Sequence, residues 1–115
     1  MYKQKQFLGE NKMKRYLIKQ INETKIDDEL SHRVSRAKAF SCRQSLERGL
    51  YRDAGYINAE NLNEVFRIGN TEPDEIEKID DFYSISCGNI IVDLETKIAH
   101  LVSPIGFRIL KVNAI

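Results

Sequence analysis

The chain has no tryptophan, and only two cysteines, two prolines and two histidines among its 115 residues. Cys42 and Cys87 form no CxxC pair, so neither a disulfide scaffold nor a zinc ribbon has support. Residues Met1–Phe7 lack the apolar core of a signal peptide, and the two cysteines read as reduced thiols of a cytoplasmic protein. No apolar run approaches the roughly 20 residues that span a bilayer, so no membrane role is expected. His32 and His100 have no Cys, His or carboxylate at metal-ligand spacing. No glycine-rich phosphate loop is present. The acidic run from Glu72 to Asp81 lacks the alternating carboxylates of a calcium loop and reads as a solvated face. Cys87 has no neighbouring base or helix start in sequence to activate it, and reads as a small side chain at the start of a strand. Ser84 and Ser86 suit turn hydrogen bonds better than reaction. These absences remove support from enzymatic chemistry and from any cofactor.

What is present is the composition of one globular domain, 42% hydrophobic and 30% charged. A chain of this length buries roughly two-thirds of its unfolded surface. Residues 1–12 are polar and basic without a period and are expected to be a flexible tail. Met13 is then a second candidate start, and residues 13–115 a single α+β domain. The net charge of +1 conceals a division. Residues 1–52 carry 13 Lys/Arg against 6 Asp/Glu, and residues 53–115 carry 5 against 11, giving +7 and −6. The plainer reading is that opposite faces of one domain neutralise each other; the other is a partner or self-association surface.

Lys14–Ile21 clusters Tyr, Leu and Ile between polar residues and predicts a strand. Acidic Asp27–Glu29 and the spacing of Leu30, Val34 and Ala37 predict a helix from about Asp28 to Ala39. A second short helix is expected over Ser41–Glu47, closed by Gly49. Leu50–Ile57 reads as irregular or a short strand. Asn58 as cap, with Ala59, Leu62, Val65 and Phe66 as a stripe and Gly69 as terminator, predicts the clearest helix. Thr71–Glu75 resembles another short helix start, with Pro73 in its first turn. Gly88-Asn89 marks a turn, Ile90–Leu94 and Ile98–Val102 a hairpin, and Gly106–Val112 a last strand. The expected fold is an antiparallel sheet of three to four strands with two or three helices on one face. Its core candidates are Leu17, Ile18, Leu30, Val34, Phe40, Leu62, Val65, Phe66, Ile90, Val92, Leu101 and Phe107.

The block Ser84-Ile85-Ser86-Cys87-Gly88-Asn89-Ile90-Ile91, preceded by Val65–Asn70 and followed by Gly106-Phe107, resembles YodL-like accessory domains of phages and plasmids. The likeness covers roughly residues 58–112. Asn89 stands where Asp is more common, and Cys87 where Val is usual. The resemblance implies a small cytoplasmic protein of a mobile genetic element that acts by binding a host or phage protein complex. A host defence complex such as CRISPR-Cas is one such target, inhibited by protein–protein contact. Fold-level analogy does not identify the partner.

The basic first half supplies the partner-binding candidates Arg33, Arg36, Lys38, Arg43, Arg48 and Arg52. Arginine's planar donor fork suits carboxylate and phosphate alike. An acidic protein partner ranks first, pairing with the chain's own acidic half or with a second copy comes next, and nucleic acid is last. The sequence pI of 7.8 lies below a dedicated nucleic-acid binder's, and no such motif is present.

Overall fold

The computed structural model describes residues 12–112. The tail expected over residues 1–12 lies outside the described residues, apart from Lys12. The elements are β1 (Lys14–Ile21), α1 (Asp28–Ser35), α2 (Ala39–Glu47), β2 (Tyr51–Ala59), α3 (Leu62–Thr71), a 3₁₀ turn (Pro73–Glu75), β3 (Ile76–Lys78), β4 (Ile90–Asp93), β5 (Ile98–Ser103) and β6 (Gly106–Leu110). The strands form one six-stranded sheet in the order β3-β2-β1-β4-β5-β6, every neighbouring pair antiparallel.

The α+β class is as the sequence implies, but two finer expectations are corrected. The sheet has six strands rather than three or four. Tyr51–Ala59 is a nine-residue strand along the whole of β1, and Ile76–Lys78 adds the edge where a helix was expected. Gly55 hides β2 in the sequence because it interrupts the apolar pattern. Its bare backbone is needed there, since a Cβ would sit 2.9 Å from the Glu77 carbonyl oxygen of β3.

The helices also lie on both faces of the sheet rather than one. Leu17, Ile90, Val92, Leu101 and Leu110 face α1 and α2, where they meet Val34 and Cys42. Tyr16, Ile18, Ile57, Ile91 and Val102 face Val65 and Ile68 of α3. The cause is central placement: β4 is buried at all four positions, and β1 at three consecutive ones. A strand with both faces covered reads as an unbroken apolar run, here Ile90-Ile91-Val92. Burying each such side chain stabilises the fold by about 1.5–3 kcal/mol.

Local signals set the helix starts. Asp27 caps α1 by accepting from the Leu30 N–H at 2.8 Å, and Asp28 and Glu29 occupy the favourable first turn. Asn61, not Asn58, caps α3, accepting from Glu64 N–H at 2.9 Å. Two of the expected core residues are outside: Phe40 is 65% exposed and Phe66 39%.

Candidate functional site

Part of the charge division is neutralised within the fold, where four strand cations pair with acids of the second half. Lys14 meets Asp93, Arg15 meets Glu77, Lys19 meets Asp53, and Arg52 meets Asp80. Arg52 also donates to the Asp81 carbonyl and lies over the Tyr83 ring, pinning the segment before the Gly88 turn.

Cations at the junction of α1 and α2 have no such partners. Among the described residues no carboxylate pairs with Arg36, Lys38, Arg43 or Arg108. Arg36 is the C-cap of α1 and Lys38 the N-cap of α2. With Ala37, Ala39, Ser103, Pro104, Ile105 and Arg108 they line an open groove of about 670 Å³. Ile105, at the tip of the β5–β6 hairpin, is 97% exposed. Arg43 lies 5.7 Å over the exposed Phe40 ring one turn into α2. The groove therefore combines three cations, an aliphatic tip and a neighbouring Arg–aromatic pair, with no acid among its lining residues.

The remaining candidates are elsewhere. Arg33 is held by Glu29 across one helical turn at 2.6 Å. Arg48 is the C-cap of α2, roughly 15 Å from Lys38 by helical rise. Arg52 is committed to Asp80 and Asp81. The structure thus brings together two of the six, Arg36 and Lys38, with Arg43 adjoining. It adds Arg108, which sequence reasoning missed. No local signal marks Arg108; only the pairing of β6 beside β5 carries it to the groove.

A strained backbone shapes this junction. Ala37 has φ +56°, the left-handed region that side chains disfavour. Its N–H bonds Val34 O, and the Lys38 N–H bonds Arg33 O, the hydrogen-bond pair that closes helices in a left-handed residue. α2 ends in the same pair, with Gly49 at the equivalent place. Alanine in α1's closing position costs roughly 1 kcal/mol relative to glycine. The chain accepts this at the point where Arg36 and Lys38 turn outward.

Among the described residues no cluster of His, Cys, Asp and Glu is arranged to hold a metal ion. Cys42 is fully buried, and burial pushes its thiol above its ordinary value. Burial likewise raises the Tyr51 phenol, whose hydroxyl donates to Gly88 O at 2.5 Å. His32 is exposed beside Arg36, and His100 is half-buried on β5, where burial holds its imidazole below the ordinary value. No helix among the described residues is long and apolar enough to cross a membrane.

Asp93 gives the sheet a pH dependence. Burial alone would raise its carboxyl, but Lys14 and the backbone N–H groups of Glu95 and Thr96 outweigh that and hold it below 3.8. A carboxyl depressed by folding stabilises above its unfolded value and ceases to do so as pH falls through its folded one. Asp93→Asn is therefore expected to cost about 2 kcal/mol at neutral pH. The difference should shrink steadily as pH drops below 3.8. Urea midpoints of both proteins measured across that range check it, and a difference that does not change with pH contradicts it.

No family profile, no curated protein and no solved structure matches the chain. The groove's own geometry is therefore the basis for a functional reading.

Proposed function

We propose that the protein is a non-enzymatic binding module that docks an acidic surface of a partner protein in the Arg36–Lys38–Arg108 groove. The observation that carries this reading is the gathering of three cations beside an exposed aliphatic tip in one groove. Lys14, Arg15, Lys19 and Arg52 are neutralised within the fold, while Arg36, Lys38 and Arg108 are exposed and among the described residues pair with no carboxylate. Three cations grouped around an exposed aliphatic tip favour a protein over nucleic acid. A phosphate backbone needs charge but has no use for the aliphatic Ile105, whereas protein interfaces are anchored by apolar side chains ringed by arginine. Origin on a mobile element, and a host defence complex such as CRISPR-Cas as the target, belong to the same proposal. They rest on the YodL-like pattern of residues 58–112.

A photocrosslinking residue placed at Ile105 tests the docking. In lysate of the source cells it should trap one protein, and the adduct should disappear when Arg36, Lys38 and Arg108 are changed to Glu. An adduct with nucleic acid, or a protein adduct that survives the charge reversal, overturns the reading.

A further inference from the structure

The two edges of the sheet are built differently. β3 is three residues long, follows Pro73, and has Glu77 tied to Arg15. A short, charged edge of this kind resists pairing with another chain. β6 is five residues long and ends the sheet on the other side. Ile109 on it is 62% exposed, and Ile105 before it is 97% exposed. In an antiparallel strand, alternate residues direct their N–H and C=O groups away from the existing neighbour. Among the described residues no strand pairs with this outer edge, so β6 offers backbone groups flanked by exposed apolar side chains.

The two faces along this edge also differ. Arg108 lies opposite Leu101, on the side of α1 and α2, and lines the cationic groove. Phe107 lies opposite Val102 on the α3 side, where it meets Phe66 edge-on with ring centroids 6.5 Å apart. Ile109 shares that side by the alternation of the strand. A cleft of about 230 Å³ opens there between Phe66, Phe107 and Pro104. The hairpin tip accordingly separates a cationic groove from an apolar cleft.

We infer that β6 receives an extended segment of the partner protein as a seventh strand, with carboxylates on the groove side and apolar side chains on the Phe66–Phe107 side. This rests on the docking reading above and specifies the form of the docked element. Side chains of an added strand alternate between the two faces, so the segment reads acidic, apolar, acidic, apolar. Charge complementarity selects this occupant over a second copy. Pairing β6 with β6 would gather Arg36, Lys38 and Arg108 of both copies on one face, and like charges across paired strands destabilise.

The test uses a seven-residue capped peptide of alternating Glu and Val, and the same peptide N-methylated at alternate residues. Methylation removes the N–H donors of one peptide edge and keeps the charge. The unmethylated peptide should shift the amide resonances of Phe107–Leu110, and methylation of the pairing edge should weaken binding at least tenfold. Two methylated forms, one for each edge, ensure that one removes the pairing donors. Equal binding by all three peptides, still abolished by the Arg36/Lys38/Arg108→Glu reversal, would overturn strand addition and leave the groove reading intact. Binding that ignores the reversal, or no binding by any peptide, would overturn both. A free protein that sediments as a dimer with its β6 amides protected from exchange would make the occupant a second copy, which also overturns the inference.

Discussion

Gly88→Ala is expected to cost about 3 kcal/mol or more, a large fraction of the stability of a domain this size. Two causes coincide at this residue. Its φ of +93° is one that side chains rarely adopt, and an added Cβ would lie 2.1 Å from the Val34 carbonyl oxygen. That oxygen is backbone, so relief requires moving the last turn of α1 off the sheet. The turn is fixed from the other sides as well. Gly88 N–H donates to Val102 O, its carbonyl accepts from the buried Tyr51 hydroxyl, and the Asn89 side chain accepts from Ser86 N–H. Gly49→Ala is the control. Its φ is +74°, with nothing within 4 Å of an added Cβ, so it carries the backbone cost alone, about 1 kcal/mol. Unfolding free energies of the two variants from urea titration should differ by about 2 kcal/mol, most of it the overlap with α1. Equal losses would mean that the turn does not press on the helix. The functional link is direct: the end of α1 that rests on Gly88 is the end that presents Arg36 and Lys38.

The turn at Gly88 and the strands after it were legible because local chemistry specifies them. Glycine marks the positive φ, and β-branched runs mark the strands. The end of α1 was not legible. Its closing residue is Ala37, where helices ordinarily use glycine, so the expected helix ran on to Ala39 instead of stopping at Ser35. Gly69 misled in the opposite direction. It lies inside α3 rather than after it, because an added Cβ there would meet the Ile85 side chain at 2.3 Å. The glycine serves packing between helix and loop, a long-range requirement that no local pattern reveals. Asn58 is the cap expected for α3, but β2 extends through Ala59 and moves the helix start to Asn61. Phe40 follows the helical period yet stays outside, under Arg43. The groove was half legible. Arg36 and Lys38 are close in sequence, whereas Arg108 and Ile105 reach them only through the strand order β4-β5-β6.

The second large effect is on binding. Changing Arg36, Lys38 and Arg108 together to Glu replaces three attractive charges in one groove by three repulsive ones. Arginine-led contacts of this kind dominate interfaces when they lie near the centre of the buried patch. The affinity for the captured partner is expected to fall at least tenfold, about 1.4 kcal/mol or more. The fold should be little affected, since none of the three pairs with a carboxylate among the described residues and all are exposed. Arg33 and Arg48 provide the contrast. Both are as cationic and come from the same basic half, but one is held by Glu29 and the other caps the far end of α2.

The most direct measurement is a titration of that partner against three proteins: the unaltered chain, Arg36/Lys38/Arg108→Glu, and Arg33/Arg48→Glu, with melting temperatures recorded for each. The account predicts at least a tenfold loss for the groove variant, a change of less than threefold for the other, and a melting temperature for the groove variant close to that of the unaltered chain. Equal losses in the two variants, or unchanged affinity in the groove variant, would contradict it.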